Sequence, residues 1–326
     1  MNTTLRSILV PLDGSPLSEQ VLPLACELAR RAAAKLRLVH VHALSISPIY
    51  IEGLPVIDEN LAPLNREHVL TYLAQIRTRL AATDGAEVTI EVEFVDRSIE
   101  SLVNEPLGSF LATYTATSQT DLVVMTTHGR GGLERFWLGS VADTLVRLSQ
   151  VPILLLRPQA GEPNGVTPLL PKQILIPLDG SVLAEQILAP VMTIGNLMQA
   201  EYTLLRVVEP LTMPMPGMSA RPIGMVSTYT SSASTQIADA QTYLDHLVSS
   251  LASDGTQIHT HVIVAAQPAA TILEVAQQTG SDLIALATHG RSGLRRLLIG
   301  SVADKLLRGA TTPVLIYRPA QGQMDT

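Results

Sequence analysis

Residues 126–143 read TTHGRGGLERFWLGSVAD, and residues 287–304 read ATHGRSGLRRLLIGSVAD; twelve of these 18 positions are identical. A second echo precedes each copy, ILVPLDGS at 8–15 and ILIPLDGS at 174–181. The copies lie roughly 160 residues apart, so one domain has been duplicated and fused. The repeated stretches are those that could hold an anion, so two related sites are expected.

Working outward, each copy alternates strand and helix signals. In the first, Ser7–Leu12 is a short apolar strand. Asp13, Gly14 and Ser15 turn the chain, and Pro16 suits a first helical position. A helix to about Lys35 follows, with Pro23 marking a kink or bend. Leu36–Ala43 is a second strand, and a helix near 65–83 comes next. Glu87–Val95 alternates apolar and charged residues as a half-exposed edge strand does. A helix near 99–118 leads to a buried strand, Leu122–Thr127, then the glycine-rich loop, a helix near 140–149 and a last strand, Pro152–Arg157. The second copy repeats this order, with strands near 173–178, 202–208, 258–265, 283–288 and 313–318. Strands separated by helices imply right-handed crossovers. The expected fold is α/β: two doubly wound, five-stranded parallel-sheet domains of strand order 3-2-1-4-5. The first domain spans 1–160 and the second 172–320, joined by a Pro- and Gly-containing linker at 161–171. Two long connections, 44–64 and 209–235, read as loops; the second holds Met213, Met215, Met218 and Met225, then the polar run STYTSSAST.

Composition narrows the function. The 326 residues are 46% hydrophobic and 16% charged, with a net charge of −7. Acidic residues outnumber basic ones, which disfavours nucleic acid and anionic membranes as partners. No signal peptide and no membrane-spanning apolar run is visible, so the cytoplasm is the expected compartment. The one cysteine, Cys26, forms no internal disulfide and reads as a small core residue on a helix. His40 and His42 sit two apart on a strand without Cys or carboxylate partners at a recognised spacing, so no metal site is expected there.

The site follows from topology. In a 3-2-1-4-5 sheet, strands one and four are neighbours and the strand order reverses between them; ligands bind outside their carboxyl ends. That places Asp13 opposite the loop after Thr126, and Asp179 opposite the loop after Ala287. Gly129 and Gly132 remove side chains so that backbone N–H groups can converge on a phosphate. Gly139 and Ser140 open the next helix, whose dipole favours negative charge, and Arg130 adds a cation. Gly290, Arg291, Gly293, Gly300 and Ser301 form the second set. Ser140 also reads as an N-cap, with Asp143 three residues on. There is no GxxxxGK[ST] loop, no GxGxxG after either first strand and no GxSxG elbow, which argues against P-loop, dinucleotide and α/β-hydrolase chemistry.

This constellation resembles the universal stress protein family in tandem form. The family's nucleotide pattern ends in a glycine, nine residues, then glycine and Ser or Thr. Gly129 with Gly139–Ser140 and Gly290 with Gly300–Ser301 match it. The openings at 8–15 and 174–181 and the endings PILLLRP and PVLIYRP are also family-like. The resemblance implies that Asp13 and Asp179 meet a ribose, that Val41 and Val207 offer main-chain groups to adenine, and that the Gly/Ser loops hold the phosphates of ATP with Mg2+. It implies pairing of the two halves as a pseudo-dimer through their last strands, and leaves open a further homodimer and a protein partner. The chain departs from the pattern at its first glycine, which is Thr126 or Ala287; the larger Thr126 ranks the second site above the first. The expected role is ATP-linked regulation in a stress response. Beyond His128 and His289 no general base stands out, so binding rather than catalysis is expected. The rival readings are a scaffold that binds no nucleotide and a slow ATP hydrolase.

Overall fold

The strand β1 (Ser7–Pro11) buries Ile8, Leu9 and Val10 completely, and β8 (Gln173–Pro177) does the same with Leu175 and Ile176. Strands this apolar belong inside a parallel sheet covered on both faces. In the computed structural model the described residues are 4–41, 50–51, 54–55, 61–83, 88–97, 104–128, 138–158, 170–210, 223–252, 255–288 and 299–318. They divide into two compact units, Met1–Leu170 with Leu315–Thr326, and Pro171–Val314.

In the first unit β1 is followed by α1 (Pro16–Glu19), α2 (Leu22–Ala32), β2 (Lys35–Val41) and a small antiparallel ribbon, β3 (Tyr50–Ile51) with β4 (Leu54–Pro55). Then come α3 (Leu61–Thr83), β5 (Ile90–Val95), α4 (Leu107–Thr117), β6 (Leu122–Thr126), α5 (Ser140–Leu148) and β7 (Ile153–Leu156). The strands stand in the order β5-β2-β1-β6-β7, which is 3-2-1-4-5 as expected. All neighbours are parallel; β1 pairs with β2 from Ser7↔Lys35 and with β6 at Ile8↔Leu122. On the outer strand β5, Glu91 and Glu93 reach Lys35 at 2.8 Å and Arg37 at 2.7 Å on β2, so its polar alternation is satisfied by cross-strand ion pairs.

The second unit repeats the plan. After β8 come α6 (Val182–Glu185), α7 (Leu188–Met198), β9 (Glu201–Val208), α8 (Ile223–Leu251), β10 (Ile258–Val264), α9 (Pro268–Gln278), β11 (Leu283–Ala287), α10 (Ser301–Gly309) and β12 (Val314–Tyr317). The order β10-β9-β8-β11 is again 3-2-1-4, all parallel. Ile284 donates to the Pro313 carbonyl at 3.0 Å as the chain runs into β12, just as Val123 donates to Pro152 in the first unit.

Local chemistry explains the departures from expectation. The first helix is two pieces: Gln20 ends α1, and α2 restarts with Pro23 in its first turn, where its missing N–H is harmless. It stops at Ala33, in the left-handed region at φ +50°. The helix expected over 99–118 is described over Leu107–Thr117, with Pro106 at its N-cap. The connection 209–235 is corrected: α8 begins at Ile223, so STYTSSAST lies within a helix. No proline follows Pro222 there, and Ala240, Leu244 and Leu247 bury the helix further along, which overrides the weak propensity of Ser and Thr. Likewise α3 starts at Leu61, inside the expected loop 44–64. Residues 211–222, with Met213, Met215 and Met218, and the linker residues 161–169 lie outside the described residues. Cys26 is buried on α2.

A repeated aspartate fixes the opposite, amino edge of each sheet. Asp121 accepts from the N–H groups of Arg6 and Ser7 at 2.8 and 3.0 Å. Asp282 accepts from Lys172 and Gln173. These carboxylates hold the start of β1 and β8 and stand at the end of the sheet away from the candidate site.

Candidate functional site

The turn that follows β1 is built by three residues. Gly14 has φ +81° and Gly180 has φ +79°, a left-handed conformation that glycine adopts without strain. The turn brings Asp13 Oδ1 against both the N–H (2.9 Å) and the hydroxyl (2.6 Å) of Ser15. Ser15 caps α1, accepting the Ser18 N–H at 3.3 Å. In the second unit Asp179 Oδ1 takes the Ser181 N–H at 3.0 Å and hydroxyl at 2.6 Å, and Ser181 caps α6 by accepting from Ala184. Each aspartate thus has a structural task, as an Asx turn beside the helix cap.

The loop after β6 leaves and rejoins the sheet at one point. Thr127 receives order from both sides: its N–H donates to Leu156 at 2.9 Å, and its carbonyl accepts the Gly139 N–H at 2.8 Å. Gly300 donates to the Thr288 carbonyl at the same distance. A Cβ on Gly139 would stand 3.1 Å from the Thr127 oxygen, and one on Gly300 3.0 Å from the Thr288 oxygen. Both glycines thus sit at a close backbone approach at the sheet edge, where a side chain would press on the opposite carbonyl.

Gly139 and Gly300 are extended and serve as the N-caps of α5 and α10, so the reading of Ser140 as N-cap is corrected. Neither helix has a side-chain cap. Asp143 does not complete a capping box either. Its carboxylate grips Arg147 through two bonds of 2.8 and 2.9 Å, and Asp304 grips Arg308 likewise. One helical turn separates each pair, a spacing at which opposite charges meet. The first helical bond in α5 runs from Asp143 N–H to the Gly139 carbonyl. The N–H groups of Ser140, Val141 and Ala142 thus have no acceptor within the helix, and those of Ser301, Val302 and Ala303 repeat the arrangement. Asp143 and Asp304 thus turn to Arg147 and Arg308 rather than to the N–H groups at their own helix starts.

The structure brings Asp13, Val41, Thr126, Gly139 and Ser140 to the carboxyl edge of one sheet, on β2, β1, β6 and the start of α5. It brings Asp179, Val207, Ala287, Gly300 and Ser301 to the same edge of the other. Val41 is buried at the end of β2 and Val207 is half-buried. Thr126 is buried, with its hydroxyl turned back to the His128 carbonyl at 2.7 Å. Gly129, Arg130, Gly132, Gly290, Arg291 and Gly293 lie outside the described residues.

One neighbour of this edge escaped the sequence reading. Glu19, at the end of α1, accepts the Tyr72 hydroxyl at 3.1 Å and pairs with Arg79, both from α3. Burial first, then Glu19, pushes the Tyr72 hydroxyl up from its ordinary range. In the second unit burial and Glu185 do the same to Tyr243 on α8, with Arg206 acting in the opposite sense. Arg206 itself is buried and donates to the Leu178 carbonyl at 3.1 Å. The signal was present: SPLSEQ at 15–20 answers SVLAEQ at 181–186, and TYL at 71–73 answers TYL at 242–244.

A parallel sheet wound on both faces, with an acidic glycine turn and an uncapped helix start sharing its carboxyl edge, defines a doubly wound α/β domain, and the chain carries two. It belongs to the universal stress protein family, whose family model matches residues 4–157 and again 171–318. The chain is 30% identical over 147 residues to the universal stress protein MJ0531 of Methanocaldococcus jannaschii, covering 45% of this chain and 82% of that one. A universal stress protein of Mycolicibacterium smegmatis is 25% identical over 331 residues, 98% of this chain and 99% of that one. Among solved structures, a universal stress protein from Archaeoglobus fulgidus superposes with a TM-score of 0.66 at 16% identity, over 98% of this chain and all of that one; this likeness concerns the fold.

Proposed function

We propose that each unit binds an adenine nucleotide, ATP, and that the protein regulates by presenting its nucleotide-bound form to a protein partner. The observation that carries the reading is the pair of uncapped helix starts at Ser140 and Ser301, each at the same sheet edge as the aspartate turn of the neighbouring strand. Three free N–H groups at a dipole's positive end suit a phosphate. Asp13 or Asp179 would accept a ribose hydroxyl, and Val41 or Val207 would border adenine. Among the described residues no cluster of three or more His, Cys, Asp or Glu could hold a metal by itself. Mg2+ is compatible with that, since it binds through phosphates, water and at most a carboxylate or two. Bound to ATP it would offset phosphate charge.

The mechanism is linkage: a ligand that prefers one loop arrangement raises its population, by RT ln(1 + [L]/Kd). The two units would pair through their last strands as a pseudo-dimer. No helix among the described residues is long and apolar enough to cross a membrane, and we place this regulation in the cytoplasm. Asp179→Ala should weaken ATP at the second site by about 1 kcal/mol, one hydrogen bond's worth, as read by calorimetric titration. Unchanged affinity would remove Asp179 from the site.

One observation favours the rival scaffold without nucleotide. Close approach to Thr127 and Thr288 already accounts for Gly139 and Gly300, whether or not a ligand binds. Nucleotide released by heat from freshly purified protein separates the two: ATP in the extract supports binding, and none after ATP-supplemented purification supports the scaffold.

A further inference from the structure

The base of the loop differs between the two units. In the first, three contacts gather where the chain leaves β6 and returns to α5. Thr126 Oγ1 donates to the His128 carbonyl at 2.7 Å, Thr127 Oγ1 lies 3.0 Å from His128 Nδ1, and Gly139 donates to Thr127 at 2.8 Å. Thr126 and Thr127 are both buried, and the two bonds to His128 are part-buried. In the second unit the Gly300–Thr288 bond recurs, but the residue matching Thr126 is Ala287, which has no hydroxyl.

We infer that Thr126 is a positioning residue that makes the first nucleotide site the better organised of the two. A carbonyl bonded to a buried hydroxyl directs its negative end into the protein. The His128 carbonyl is therefore held by Thr126 Oγ1 and is not available to oppose a phosphate. A loop base fixed before the ligand arrives loses less freedom on binding. The side chain at 126, which by size alone would crowd a ligand, is instead committed to the backbone. The first site should bind ATP more tightly than the second, the reverse of the ranking by side-chain bulk. The affinity part rests on the nucleotide reading above; the organisation of the loop base does not.

Hydrogen exchange on the full chain tests both parts, following the peptides at the end of β6 and the start of α5 separately from those of β11 and α10. Without nucleotide, Thr126→Ala should speed exchange at the β6–α5 peptides, Thr126→Ser should restore the native rate, and the β11–α10 peptides should stay unchanged. With ATP titrated in, protection at α5 should need about 5-fold more ATP in Thr126→Ala than in the native protein or Thr126→Ser. Native exchange in ligand-free Thr126→Ala would overturn the positioning role outright. Faster exchange with ATP protection unaltered would overturn its bearing on affinity. Absence of ATP protection in every form would overturn the nucleotide reading and the affinity claim, with the ligand-free comparison still deciding the loop base.

Discussion

Gly300→Val should weaken ATP at the second site at least about 10-fold, or 1.4 kcal/mol. The reason is geometric. Any Cβ at 300 meets the Thr288 carbonyl at 3.0 Å, tighter than ordinary contact, so the backbone there must shift by a few tenths of an ångström. The Gly300 N–H is itself bonded to that carbonyl, so relief means lengthening the bond and moving the start of α10. The N–H groups of Ser301, Val302 and Ala303 move with it, and a valine adds two methyl groups at the mouth. Because each unit is built around its own sheet edge, the first site should keep its native affinity and serve as an internal control. Calorimetry should resolve one impaired and one native site. Two native sites would show that the start of α10 does not touch the ligand. Loss of both would point to general unfolding, which a thermal melt would reveal.

The second large effect lies in the core. Gly195→Ala should destabilise the protein by about 1–3 kcal/mol, against the propensity trend. In a helix interior alanine is ordinarily favoured over glycine by about 1 kcal/mol. Here its Cβ would fall 2.2 Å from the Tyr202 hydroxyl and 2.7 Å from the ring. Tyr202 is fully buried and held by Asn196 Oδ1 at 2.9 Å, so the ring cannot step aside. The first unit resolves the same contact differently. Ala29 and Leu36 occupy the matching places, both fully buried, with Leu36 facing Ile8 as Tyr202 faces Ile174. A large aromatic thus goes with a missing methyl, and a smaller leucine with its presence. In a Tyr202→Leu background Gly195→Ala should therefore change sign and stabilise by up to about 1 kcal/mol. Urea unfolding of the four proteins gives the cycle. A Gly195→Ala effect of the same sign and size in both backgrounds would refute the compensation.

The sequence made the sheets legible because their signals are local. Ile8–Val10 and Ile174–Ile176 are runs that only a doubly covered strand tolerates, and the duplication checked each reading against its copy. The Asp13 and Asp179 turns were legible for the same reason: Asp-Gly-Ser has one compact solution. What stayed hidden depends on partners distant in sequence or on packing. Ser140 looked like a cap, yet the extended residue is Gly139, and Asp143 prefers the guanidinium one turn away to the backbone. STYTSSAST looked like a loop because its propensity is weak, and burial further along α8 decides the matter. The Glu19–Tyr72–Arg79 tie joins α1 to α3 across more than fifty residues, and no spacing rule reaches that far.

The decisive measurement is a crystal structure grown with ATP and Mg2+. Triphosphate density is expected at the starts of α5 and α10, with phosphate oxygens within hydrogen-bond reach of the Ser140–Ala142 and Ser301–Ala303 amides, and the riboses against Asp13 and Asp179. Density at neither helix start, with saturating nucleotide in the crystal, would contradict the proposed nucleotide binding.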